Sequence, residues 1–220
     1  MTVVTFDLFS ARVDSRTGGS QAFERLARDG GWPVSGEQLY DVWDSHNKAA
    51  QKDCQPWAPW RVPATAALER TFVELGVEGD AAAGVEALAG SLPRWPLWPD
   101  VTDGLTLLAR THRVGLLSNV DDDLFARTAA APLVDADVAL TSERLRAYKP
   151  HPEIYQRARE VLGEMVHVAT SARDVRGALE AGIPVVRLRR PGHALDPDGP
   201  PPAYEVDSID ELTAVLATVA

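Results

Sequence analysis

The chain has 220 residues, 45% hydrophobic and 25% charged, enough for one large domain or for a core domain carrying a smaller insertion. A net charge of −10 argues against a nucleic-acid surface, which needs clustered Lys and Arg, and it requires a local positive site for any small anionic substrate. Cys54 is the single cysteine, which excludes a disulfide framework, and no apolar run approaches the roughly 18 residues of a membrane span. The first residues lack a basic region ahead of their short apolar run, unlike a secretory leader, so the expected setting is cytoplasmic.

The first element is an apolar, β-branched run at residues 3–6, the composition of a strand buried on both faces. Comparable runs recur only after residue 100, at 114–117, 137–140, 166–169 and 185–188. Helical stripes lie between them: Leu105, Leu108 and Ala109; Leu124, Phe125 and Thr128; and Ile154, Tyr155, Ala158, Val161 and Leu162, with Pro152 in the first turn. Strand alternating with helix predicts a parallel sheet with helices on its faces. Residues 15–93 differ, with helical patterns and no convincing strand. Ser35 and Gln38 form a capping box ahead of Leu39, Val42 and Trp43. Further stripes follow at Ala67, Leu68, Thr71, Phe72 and Leu75, and at Val85, Leu88 and Ala89. All six tryptophans precede residue 100, which marks 15–93 as a helical insertion between core segments 1–14 and 94–220. A Trp-rich cap surface is also a candidate face for a homodimer. Residues 190–202 read as a Gly/Pro-rich loop, and a last helix turns Ile209, Leu212, Val215, Leu216 and Val219 inward.

Four polar clusters end four of the apolar runs. They are Asp7; Ser118-Asn119; Lys149 in Tyr148-Lys149-Pro150; and Ser171-Ala172-Arg173-Asp174. In a parallel sheet these strand ends share one edge, where open α/β sheets bind ligands. A carboxylate beside a lysine, with hydroxyl and amide donors around it, is suited to covalent catalysis. Plainer readings stand beside this one. Ser118 and Asn119 can cap the next helix, Asp174 can be a helix N-terminal acid, and Tyr155 lies on a packing stripe. The five histidines show no metal-ligand spacing.

The four motifs in this order resemble the haloacid dehalogenase (HAD) superfamily over nearly the whole chain. Phe9, Ser118-Asn119 and Lys149 with Tyr155 six residues later are similar to its L-2-haloacid dehalogenase branch. The resemblance implies an α/β fold, a Rossmann-like parallel core with an inserted α-helical cap, and a hydrolase acting on a small molecule without a cofactor. It implies Asp7 as nucleophile with Lys149, Asp174 and Ser118 as catalytic groups. Phe9, Ser10, Asn119, Tyr155, Ser171 and the cap residue Asp44 are then expected at the substrate. Phosphatases of the superfamily carry a second Asp two residues after the nucleophile, and Phe9 cannot replace it as a proton donor. A halide leaves without a proton, so Phe9 favours carbon–halogen cleavage. A Mg²⁺-dependent phosphatase using Asp7 and Asp174 as ligands is the alternative, although Thr170 stands where such relatives have another acid. The chain departs from the dehalogenase branch at Ser10-Ala11 instead of Gly-Thr, at Ser171 instead of asparagine, and at Asp44 where that branch uses an arginine. These differences raise a third reading, a degenerate fold that only binds. Lys48, one turn on, can pair with Asp44, and Arg61 is another candidate cation.

Overall fold

The computed structural model describes residues 2–219; the side chain of Val219, expected on the inward stripe of the last helix, lies outside the described residues. β1 (Val3–Phe6) is buried at every position, in keeping with its β-branched, mostly apolar composition. Four helices follow, α1 (Ser15–Gly30), α2 (Gly36–Lys52), α3 (Arg61–Leu75) and α4 (Ala81–Ser91). The chain then alternates: α5 (Val101–Leu108), β2 (Arg113–Ser118), α6 (Asp122–Ala126), β3 (Ala139–Thr141), α7 (Ser142–Leu145), α8 (Pro152–Leu162), β4 (Met165–Ala169), α9 (Ala172–Glu180), β5 (Val185–Leu188), β6 (Tyr204–Val206) and α10 (Leu212–Val219). The six strands form one sheet in the order β3-β2-β1-β4-β5-β6, and every pairing is parallel. β1 sits at its centre with Phe6 level with both Leu116 and Val168, so the direction of winding reverses beside Asp7. That reversal opens a crevice at the carboxyl ends of the strands.

The inserted helices leave and rejoin the sheet through adjacent segments. Val13 bridges Leu97, Asp14 N–H donates to the Pro96 carbonyl at 2.9 Å, and Trp98 N–H donates to the Arg12 carbonyl at 3.0 Å. The capping box of Ser35 and Gln38 forms as expected and fixes the start of α2. The six tryptophans are buried or half-buried. Trp43 packs edge-on to Phe23 and Trp60, and Trp32 to Phe72, so these, with Trp95, help build the helical layer's core, and the six leave no broad exposed tryptophan face.

Three elements differ from the sequence reading. α1 has no stripe that announces it, because Gly18-Gly19 lowers helix propensity. The glycines are needed there: a Cβ at Gly18 would overlap the Trp95 ring, and one at Gly19 the Tyr40 ring. The run at 137–140 begins as a 3₁₀ turn at Ala136–Val138, since the Asp135 carboxylate accepts the Asp137 N–H at 3.2 Å, and β3 starts only at Ala139. β6 is an edge strand of three residues, too short to carry a period, with Glu205 accepting from Arg187 of β5 at 2.6 Å.

Candidate active site

β1 delivers Asp7 to the sheet edge, where its N–H continues the ladder by donating to Val168 O at 3.1 Å. Asp7 is one of the residues lining a cavity of about 660 Å³ between the strand ends and the inserted helices. Each carboxylate oxygen of Asp7 accepts two hydrogen bonds. Oδ1 takes Lys149 Nζ at 2.8 Å and Ser118 Oγ at 3.1 Å; Oδ2 takes the Ser10 N–H at 3.2 Å and Ser10 Oγ at 2.7 Å. Ser10 therefore supplies a hydroxyl donor to the nucleophile position even though Ser10-Ala11 stands in place of Gly-Thr. Burial raises the Asp7 carboxyl, but the Lys149 charge and the Lys149 and Ser10 hydrogen bonds outweigh it and hold it below its ordinary value. Arg12, two residues past Ser10, is wholly buried, stacks 4.6 Å from the Phe6 ring centroid and donates to Gly115 O, tying this turn to β2.

Lys149 is the hub. Its ammonium also donates to Asp174 Oδ2 at 2.6 Å and to Leu117 O at 2.8 Å, which uses all three protons. Burial alone would lower its pKa, but the two carboxylates raise it, so it stays charged. Asp174, in the first turn of α9, is almost fully buried. Burial opposes its charge, yet Lys149 and His167 hold its carboxyl well below the usual range. Behind it, His167 Nε2 lies 3.1 Å from Asp174 Oδ2, and His167 Nδ1 lies 3.0 Å from Thr5 Oγ1. This Thr5–His167–Asp174–Lys149–Asp7 chain has no solvent-exposed member.

Asp7, Phe9, Ser10, Ser118, Asn119, Lys149, Asp174, Ser171 and Asp44, all expected from the sequence, line the cavity. Tyr155 does not, which corrects its expected place at the substrate. It is wholly buried on α8 and donates to Asp174 Oδ1 at 2.8 Å, behind the carboxylate rather than beside the cavity. Tyr155→Phe should thus lower stability by about 1–2 kcal/mol, read by urea titration, with little change in substrate KM. Asn119 spends its amide on structure: Nδ2 donates to Gln51 Oε1 and Lys149 O, both at 2.9 Å, and Oδ1 accepts the Lys149 N–H at 2.7 Å. Asp44 is neutralised by an ion pair with Lys48, which also lines the cavity, whereas Arg61 pairs with Glu86 and Asp123 and does not. Part of the wall is aromatic: Tyr40, Trp43, Trp60, Trp95 and Trp98 line it, and Phe9 meets Trp95 edge-on at 5.8 Å. The sequence reading gave no role to His167, Gln51 or Arg173. His167 becomes visible only once Thr5 and His167 are known to be register partners across β1 and β4.

Mg²⁺ takes oxygen ligands, commonly one or two carboxylates, and here both candidates, Asp7 and Asp174, already accept from Lys149. Lys149 occupies the space between Asp7 and Asp174. Thr170 is wholly buried with its hydroxyl on Leu188 O at 2.8 Å. Among the described residues no group of three His, Cys, Asp or Glu converges.

A family model described as haloacid dehalogenase-like hydrolase matches residues 1–182, and the chain belongs to that family. It is 33% identical over 127 residues to (S)-2-haloacid dehalogenase 4A of Burkholderia cepacia, an alignment covering 54% of this chain and 55% of the relative. Thus the chain spans about half the length of the first curated relatives it matches. It is also 27% identical to a phosphoglycolate phosphatase of Escherichia coli O157:H7, over 97% of this chain and 91% of the relative. The L-2-haloacid dehalogenase structure from Xanthobacter autotrophicus shares the fold, with a TM-score of 0.85 over 100% of both chains at 23% identity. Among the described residues no helix is long and apolar enough to cross a membrane.

Proposed function

We propose that the chain hydrolyses the carbon–halogen bond of a small 2-haloacid through an ester on Asp7. Residues 1–14 and 94–220 act in this reading as the catalytic core and residues 15–93 as a helical cap over its crevice. The observation that carries it is an ionised, lysine-paired carboxylate facing a cavity with aromatic rings in its wall, with Phe9 where a proton-donating acid would otherwise stand. An Asp7 oxygen attacks C2 and the carbon–halogen electron pair leaves as halide, which needs no proton. Water then adds to the Asp7 ester carbonyl, the 2-hydroxyacid departs, and one proton is released to solvent. Attack opposite the halide inverts C2, and hydrolysis at the acyl carbon preserves the new C–O bond. Lys149 and the Ser118 and Ser10 donors hold the charge that returns to Asp7 at the end of the cycle.

The expected result is halide release from at least one member of a panel of 2-haloacids, unchanged by chelator. Phosphate release from phosphate esters that disappears with chelator, and no halide release, would favour the magnesium-dependent phosphatase instead. A purely binding role is opposed by the intact hydroxyl on Asp7 from Ser10. The reading keeps a cytoplasmic setting, in line with a single free cysteine. Any homodimer would have to form through surfaces other than a tryptophan face.

A further inference from the structure

A 2-haloacid brings a full negative charge into a protein of net charge −10, so the cavity must supply a cation that is not already neutralised. Four Lys or Arg side chains line it: Arg16, Lys48, Lys149 and Arg173. Arg16 is forked onto Asp41 at 2.9 and 2.8 Å and also meets Glu37 at 3.4 Å. Lys48 is paired with Asp44, and Lys149 with Asp7 and Asp174. His193 also faces the cavity, but burial and then the nearby Lys48 push its imidazole below the ordinary value, toward the neutral form at pH 7. Arg173 differs. Among the described residues no carboxylate lies within salt-bridge distance of it. Its two hydrogen bonds go to neutral acceptors at long range, Nη1 to Lys48 O at 3.2 Å and Nη2 to Gln51 Oε1 at 3.4 Å.

We propose that Arg173 is the specificity-determining cation that receives the carboxylate of the substrate, an inference that rests on the haloacid reading above. A guanidinium has five N–H donors in a planar fork matched to a carboxylate, and Arg173 commits only two of them. Arg173 precedes Asp174, whose carboxylate shares Lys149 with Asp7, so the fork starts one residue from the nucleophile's own network. It reaches across the crevice to α2, where Lys48 cancels Asp44 rather than serving the substrate. Without such a cation the anion would be held only by neutral donors and by charges already satisfied. Recognition is therefore assigned to the core helix α9, and the cap contributes the rings of Tyr40, Trp43 and Trp60 and two ion pairs, Arg16–Asp41 and Lys48–Asp44.

The two hydrogen bonds to α2 would also serve a purely structural latch, and the experiment separates the two roles. In an Asp7→Asn background, which prevents turnover, binding of 2-chloropropionate and of 2-chloropropionamide is followed through the fluorescence of the cavity tryptophans. Arg173→Gln should weaken carboxylate binding roughly 10- to 100-fold and leave amide binding within about twofold, with Arg173→Lys intermediate. With Asp7 intact, the same substitution should raise KM far more than it lowers kcat. Unchanged carboxylate affinity, equal weakening of acid and amide, or no carboxylate binding by the parent would each overturn the proposal. Arg173-dependent binding without halide release would defeat the reaction assignment alone; halide release with unchanged KM in Arg173→Gln would defeat this inference alone.

Discussion

Asp7→Asn should reduce halide release from a responsive 2-haloacid by a factor on the order of 10⁴ or more. The amide is nearly isosteric but cannot displace a halide from carbon. Its fold should survive, and the reason lies in the charge count. Asp7, Asp174 and Lys149 form a buried group with two negative charges and one positive, and the asparagine variant leaves a balanced Lys149–Asp174 pair at 2.6 Å. The oxygen of the introduced amide can still accept from Ser10, whose N–H and hydroxyl reach the native side chain. Unfolding in urea should accordingly show a midpoint equal to or above that of the parent. A variant that is both inactive and strongly destabilised would mean that Asp7 is held for structure, not for chemistry.

Lys149→Met carries the second large effect, and it falls on stability as well as rate. Methionine keeps the length of the side chain and removes the charge. Asp7 and Asp174 are then left as two buried carboxylates with no common cation, a change that costs about 3–5 kcal/mol when one partner of a buried ion group is deleted. One carboxyl relieves the strain by taking a proton, so the two titrate as a coupled pair. Asp7 is held below its ordinary pKa in the parent partly by the Lys149 charge. Losing that charge should move the acid limb of the rate profile toward neutral pH. At its optimum the variant should be about 10³-fold slower, since the carboxylate is no longer held and its charge no longer offset. Adding Asp7→Asn to Lys149→Met should recover part of the lost stability, because one uncompensated charge disappears; that non-additivity is measurable in a double-variant cycle.

Much of this arrangement is legible from residue order, and the parts that are not have specific reasons. β1, β2 and β4 are largely apolar because helices cover both sheet faces, so their ends could be located, and with them Asp7, Ser118 and the segment at Ser171. Lys149 could be read from its place before a Pro-started helix. Tyr155 could not be placed in the same way, because a helical stripe gives a face and not the depth of a hydroxyl; it proves to support Asp174 from behind. The Thr5–His167 contact depends on the parallel register of two strands more than 160 residues apart. Arg173 depends on a still longer accounting. Its significance emerges only after the other cavity cations are each found on an acid. α1 was hidden for a packing reason, since Gly18-Gly19 weakens the helical signal while admitting Trp95 and Tyr40.

In the proposed reaction Asp7 itself becomes esterified and is then hydrolysed at its own carbonyl. A single turnover of a 2-haloacid with enzyme in excess, run in H₂¹⁸O and followed by mass analysis of the peptide containing Asp7, tests it directly. One ¹⁸O is expected in the Asp7 carboxylate and none in the hydroxyl of the product. Label in the product hydroxyl with Asp7 unlabelled would mean that water attacks the substrate directly, and would contradict it.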